Sequence, residues 1–157
     1  MSPEPALLHW EDIVIGNAVT FGRYVVSTEE VIDYARAFDP QPFHMDEAAA
    51  AQSPHGRLYA SGWHSCAMMM RLLAENVLNQ AAALGSPGLE DCAWIKPAFP
   101  GDVLSGRYTC TGKRVMRSRP DVGVCQFAFE TLNQNGEVIM TWKAALFFQV
   151  RAPGAAS

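Results

Sequence analysis

The sequence has no Cys-x-x-Cys pair, no excess of positive charge and no apolar run near the roughly 20 residues that a membrane span needs. Its four cysteines, Cys66, Cys92, Cys110 and Cys125, are scattered, and no histidine lies at zinc-finger spacing from them. A chain of 157 residues builds a core without staples, so the cysteines are expected to be reduced and internal. Met1 to Trp10 contains neither Lys nor Arg and no long apolar stretch, which is not the pattern of a signal peptide. The net charge of −4 leaves no basic footprint for a nucleic acid, although a few local cations would serve a small anionic ligand. A cytoplasmic protein is expected, with neither nucleic acid nor membrane as partner.

What is present reads as one domain over 1–157, with loose ends at about 1–8 and 151–157 where prolines and Gly154 gather. Val19 to Val26 suits a strand. Thr28 is a plausible N-cap for a helix carrying Val31, Tyr34, Ala35 and Phe38 at helical spacing, and Pro40 should end that helix at Asp39. Asp46 can cap a short helix through the alanine run. From Gly62 to Leu84 no proline or further glycine interrupts a stretch rich in Ala, Met and Leu. Its polar members His64, Arg71, Glu75 and Asn79 fall near one face. A helix buried nearly all round, capped by Gly85, is expected. The remainder reads as antiparallel strands: Cys92 to Lys96, Val103 to Met116 with Gly106 and Gly112 as bulge or bend positions, Val122 to Leu132, and Glu137 to Val150 after a turn at Asn133–Gly136. The pattern is α+β, one long helix wrapped by a bent sheet.

The stretch "DPQPFH" holds the chemistry. Asp39 and His44 are an acid and a base on a loop that Pro40 and Pro42 stiffen by fixing two φ angles. Such a pair suits water activation, the imidazole taking a proton near neutral pH and the carboxyl orienting water or passing the proton on. Spacing alone equally allows a turn that ends a helix, with both side chains solvated. Gly62 opens the buried helix, where a missing side chain lets a ligand approach the free N–H groups and a developing oxyanion can be held. Taken alone, it equally allows tight packing.

"YARAFDPQPFHMDEAAA" followed by "LYASGWHSCAMMMRLL" resembles the MaoC-like dehydratases, which include the (R)-specific enoyl-CoA hydratases. Their pattern is Asp-x-Asn-Pro-x-His, then a buried helix opening on a glycine. Asp39, Pro42, His44 and Gly62 match it, as does "FPGD" at Phe99–Asp102. The resemblance covers about Trp10 to Val150. It implies a hot-dog fold, an antiparallel sheet around one long helix, assembled as a homodimer or higher homo-oligomer. It also implies reversible hydration of a trans-2-enoyl thioester to the (R)-3-hydroxyacyl thioester. In these terms Asp39 and His44 are the catalytic acid and base and the Gly62 N–H holds the thioester oxygen. Gln41, Phe43, Ser61, Trp63 and His64 lie where they would contact substrate. No metal or redox cofactor is required, since the substrate brings its own carrier, coenzyme A or another thioester carrier.

Gln41 replaces the family's asparagine, Trp63 and His64 stand where smaller or aliphatic residues are usual, and Met68 to Met70 where many relatives carry a small or hydroxyl residue. These departures bear on the substrate. His55, in a Pro-Gly loop, reads as a surface loop residue, with a place bordering the substrate tunnel as the alternative. Lys113, Arg114, Arg117 and Arg119 are either a solvated strand end or a site for carrier phosphates. Two other activities remain open on this fold: an acyl-CoA thioesterase, for which Glu75 is the only carboxylate within the long helix, and a non-catalytic acyl-thioester binding protein.

Overall fold

The computed structural model describes residues 5–153. One antiparallel sheet is built from β1 (Ala18–Val25), β4 (Val103–Val115), β5 (Val122–Leu132) and β6 (Val138–Gln149), side by side in that order. The free edge of β6 carries two short strands in succession, β2 (Ala83–Gly85) and β3 (Leu89–Trp94). The sheet curves around α3 (Gly62–Asn76), giving the expected hot-dog arrangement. Met68, Met69, Leu72 and Leu73 of α3 share a core with Phe127, Phe129 and Phe148 from the strands. Close contact of sheet and helix depends on Gly22. It takes φ +75° at the bulge between Phe21 and Tyr24, and a Cβ there would meet Leu72 at 2.6 Å and the Asn76 amide at 2.8 Å.

Two further helices, α1 (Thr28–Phe38) and α2 (Glu47–Ala51), precede α3. Ser27, rather than Thr28, caps α1, because its hydroxyl accepts the Glu30 N–H. Asp46 caps α2 as expected, accepting from Ala48 and Ala49.

The long helix departs most from expectation. It ends at Asn76, not near Leu84. The Asn76 amide donates to the Leu72 carbonyl, Val77 leaves helical geometry, and the following segment finds tertiary partners. Leu8 donates to the Gln80 carbonyl and accepts from Ala82 N–H, so Leu8 is held and is not a loose end. Ala83–Gly85 then joins β6, and Gly85 is a strand residue rather than a helix cap. Nor is α3 buried all round. Its outward face leaves Trp63 59% and Met70 45% exposed, while His64 of the supposed polar face is buried, because the sheet covers only one side. A register shift adjoins each β4 glycine: the one in β1 begins at Phe21, the partner of Gly106, and the other falls between Cys110 and Gly112; Gly106 is also a point of close approach for Phe21 and Met69.

Arg151 is also tied, its backbone N–H donating to Glu11 and its guanidinium to Asp12. All four cysteines are free thiols, but Cys92 is exposed rather than internal, because β3 lies at the edge of the sheet and is exposed along its whole length.

Candidate active site

The loop after α1 is built by its prolines. Asp39 closes the helix with its N–H on the Ala35 carbonyl, and Pro40 cannot extend it. Pro42 starts a single 3-10 turn, Pro42–His44, whose carbonyl accepts from both Met45 and Asp46. That turn carries His44 inward until it is buried, while Asp39 stays at its rim with its side chain 18% exposed.

The two side chains meet. His44 Nε2 lies 3.5 Å from Asp39 Oδ2. His44 Nδ1 lies 2.8 Å from the Tyr59 carbonyl oxygen. A carbonyl only accepts, so Nδ1 carries a proton, and Nε2, on the side of Asp39, is the nitrogen that can take up or release one. Phe43 and Tyr59 pack edge-on against the imidazole at 4.7 and 4.8 Å, fixing its plane.

Asp39 is held by two donors. Ser61 Oγ donates to Oδ2 at 2.6 Å and the Gln41 amide to Oδ1 at 2.7 Å. The Ser61 hydroxyl holds the carboxyl below its ordinary range against the opposing effect of burial, and Gln41 and His44 add to it. Gln41 therefore does spend its longer amide within the loop.

Ser61 also immediately precedes α3, and having turned its hydroxyl to Asp39 it makes no capping bond to the helix. The first N–H groups of an α-helix have no acceptor within it. Gly62, which opens the helix, lines the same cleft as Asp39, Gln41 and His44. Tight packing at this glycine is also real, since a Cβ would meet the Trp94 indole at 2.6 Å. The cleft holds about 350 Å³, and Tyr59, Trp63, Ser65, Trp94 and Lys96 are among its other walls. A larger hollow of about 580 Å³ lies at the other end of α3, beside Leu8, Phe21 and Val77, but neither a carboxylate nor an imidazole lines it.

Of the residues expected to contact substrate, Gln41, Ser61 and Trp63 line the cleft. Two do not. Phe43 packs behind the histidine, parallel to Tyr59 at 5.7 Å. His64 points to α1, where its ring stacks on Tyr34 at 4.4 Å and its Nδ1 is buried without a partner among the described residues. Burial holds the His64 pKa down, although Glu30 pulls the other way.

His55, read as a surface residue, lies edge-on to Tyr59 at 4.5 Å and joins the cleft wall. Trp94 was missed, because one aromatic in a short strand carries no signal of what it covers. The basic cluster is largely spent elsewhere: Lys113 donates to the carbonyls of Trp10, Glu11 and Ile13, and Arg119 forks onto Asp121. Among the described residues no three His, Cys, Asp or Glu side chains converge as metal ligands, and no helix is long and apolar enough to cross a membrane.

Residues 12–126 match the family model of the MaoC like domain. The crystal structure of a MaoC-like dehydratase from Rhodospirillum rubrum superposes with a TM-score of 0.85 at 38% identity, covering 92% of this chain and 99% of that one. Protein YdeM of Bacillus subtilis is 25% identical over 124 residues, which span 79% of this chain and 86% of that protein. An unliganded R-hydratase from Pseudomonas aeruginosa shares the fold, with a TM-score of 0.73 at 17% identity over 91% of this chain and 86% of that one.

Proposed function

The chain belongs to the MaoC-like domain family, and on that premise we propose that it reversibly hydrates a trans-2-enoyl thioester to the (R)-3-hydroxyacyl thioester. The observation that carries this is the His44 tautomer. With Nδ1 bound to the Tyr59 carbonyl, Nε2 is left for proton transfer beside Asp39, whose carboxyl is held below its ordinary range, in a cleft that Gly62 at the start of α3 also lines.

In the forward direction a water contacts both His44 Nε2 and Asp39. His44 takes one proton, and the oxygen adds to C3 of the enoyl group. The displaced electron pair moves through C2 to the thioester oxygen, which the Gly62 N–H holds as enolate charge develops. The proton on His44 returns through Asp39 to C2, so one water is added and both side chains regain their starting states. No oxidation occurs and every proton carrier is a protein group, so the sequence of steps uses neither a metal nor a redox cofactor. Coenzyme A or another thioester carrier arrives with the substrate.

The thioesterase alternative lacks a helix carboxylate in position: Glu75 is exposed, paired with Arg71 at 2.9 Å, near the far end of α3. We also propose a homodimer or higher homo-oligomer in the cytoplasm, a second copy covering the apolar outward face at Trp63 and Met70. Light scattering at assay concentration reporting only monomer would count against it.

Purified protein given crotonyl thioester and a free-thiol reagent is expected to lose the conjugated absorbance without releasing thiol. Asp39→Asn and His44→Gln should each lower that rate by about two to four powers of ten. Thiol release with the double bond intact would favour the thioesterase, and near wild-type turnover in either variant would sink the mechanism. Glutamine suits the test better than alanine, because His44→Ala removes the donor to the part-buried Tyr59 carbonyl.

A further inference from the structure

A hydrogen bond and a ring stack join the end of α1 to the start of α3. The bond runs from Ser61 Oγ to Asp39 Oδ2 at 2.6 Å. In the stack, the His64 and Tyr34 ring centroids lie 4.4 Å apart with their planes 6° from parallel. Tyr34 stands five residues before Asp39, and His64 three after Ser61. At 1.5 Å per residue, the stack lies about 7.5 Å back along α1 and about 4.5 Å on along α3 from that bond.

We propose that the Tyr34–His64 stack is a positioning contact for the site, holding the C-terminal end of α1 where the Ser61 hydroxyl reaches Asp39. The carboxylate and the hydroxyl are each carried by their own helix. Asp39 N–H donates to the Ala35 carbonyl at 2.9 Å, and the Ser61 carbonyl accepts from Ser65 N–H at 3.0 Å. The length of the bond between them therefore follows the placement of one helix on the other. The beginning of α1 is tied separately. Glu30 accepts from the Tyr24 hydroxyl on β1, and the Arg71 guanidinium of α3 lies over the Tyr24 ring at 5.8 Å. Glu30, Tyr34 and Phe38 recur at intervals of four and form one row along the helix. With Glu30 tied, removing the stack frees the other end of the row, the end that bears Asp39. Val31 and Ala35 are fully buried and keep α1 on the core without it.

The His64 ring is held by its face. It is buried, and Nδ1 has no partner among the described residues, so no hydrogen bond at that nitrogen aims it. A phenyl ring would stack in the same place, whereas a methyl group would remove the contact. The titratable groups around the pair are Glu30 beside His64, Cys66 and Asp39 beside Tyr34, and His44 and Tyr59 beside Asp39. All of these stay in place in the variants that test the stack.

The kinetic arm of the test rests on the hydratase function proposed above, while the titration arm does not. The full chain, isotope-labelled at its aspartate carboxyls, is titrated by NMR, with the Asp39 signal assigned through Asp39→Asn. The value of kcat/KM for crotonyl thioester is measured alongside. His64→Ala should raise the Asp39 titration midpoint in the same direction as Ser61→Ala and lower kcat/KM at least about tenfold. Combined with Ser61→Ala, it should raise the midpoint no further, because the bond it acts through is already gone. His64→Phe should keep the wild-type midpoint and rate. Tyr34→Leu breaks the stack from the other side, so it should repeat His64→Ala and replaces it if that variant does not fold. An Asp39 midpoint that does not move when the stack is broken would overturn the proposal, whatever happens to the denaturant midpoint. So would a further rise in the double variant. His64→Phe matching His64→Ala would also overturn it, since the imidazole charge and not the ring would then act on Asp39. If the wild type hydrates no enoyl thioester, the hydratase function falls, and the titration still decides this proposal.

Discussion

Replacing Ser61 by alanine removes one hydroxyl and asks what keeps Asp39 charged. The Ser61–Asp39 bond is 2.6 Å long, and it is the largest influence on the Asp39 pKa. A hydrogen bond to a charged group is worth about 1.5–3 kcal/mol. Losing it should raise the Asp39 pKa, while the Gln41 amide still holds the carboxyl. The acid limb of kcat/KM should move up in pH. Well above that limb, any loss reflects orientation and should stay within about tenfold.

Stability should respond with a definite sign. The folded Asp39 pKa lies below its unfolded value of about 3.9, so its contribution is present above that pH and is lost as pH falls through the folded pKa. Ser61→Ala should shrink this acid-sensitive part. The measurements are the pH profile of kcat/KM and the denaturant midpoint as a function of pH. An acid limb that does not move, with turnover nonetheless reduced, would show that Ser61 does not set the charge of Asp39.

Trp63 lines the cleft, so Trp63→Ala should raise kcat/KM for longer or branched acyl groups relative to crotonyl by about tenfold. An unchanged acyl-length profile with a large fall in denaturant midpoint would refute that. His64→Phe keeps a ring against Tyr34 and removes the titrating nitrogens. The folded His64 pKa is depressed, so wild-type stability is complete above the unfolded value of about 6.5 and is lost as pH falls toward the folded one; the variant should flatten that slope. Identical slopes in wild type and variant, from denaturant midpoints across this range, would place the titration elsewhere.

The acid–base loop was legible because its causes are local. Two prolines fix where Asp39 and His44 stand, and only five positions separate them. The contacts that tune the pair are not local: Ser61 is 22 positions from Asp39, and the Tyr59 carbonyl is 15 from His44. Nothing in the order of residues marks a hydroxyl or a carbonyl for that use. The end of α3 was misjudged for a related reason. Leu78 to Leu84 is adequate helical sequence, but its backbone finds partners in Leu8 and β6 that a local pattern cannot contain. His64 and Phe43 show a further limit, since adjacency to Gly62 and His44 in sequence did not put either side chain in the cleft. Lys113 looked free for an anion in a one-dimensional cluster, yet three backbone carbonyls of the turn at Trp10 take it up.

The contact between Arg151 and the Glu11–Asp12 turn has a topological consequence. The partners are 140 positions apart, and two backbone N–H groups, of Arg151 and Ala152, donate to the Glu11 carboxylate. Lys113 holds the same turn from beneath through its carbonyls. The folded chain is nearly a closed ring, and its order of packed elements does not depend on where the ring is opened. Joining the region after Arg151 to the region before Glu11 and opening the exposed turn at Arg119–Asp121 would yield a circular permutant with β5 as its first strand. Asp39, His44 and Gly62 would remain together in one uninterrupted stretch of that permuted chain, so the cleft would be carried intact into the new connectivity.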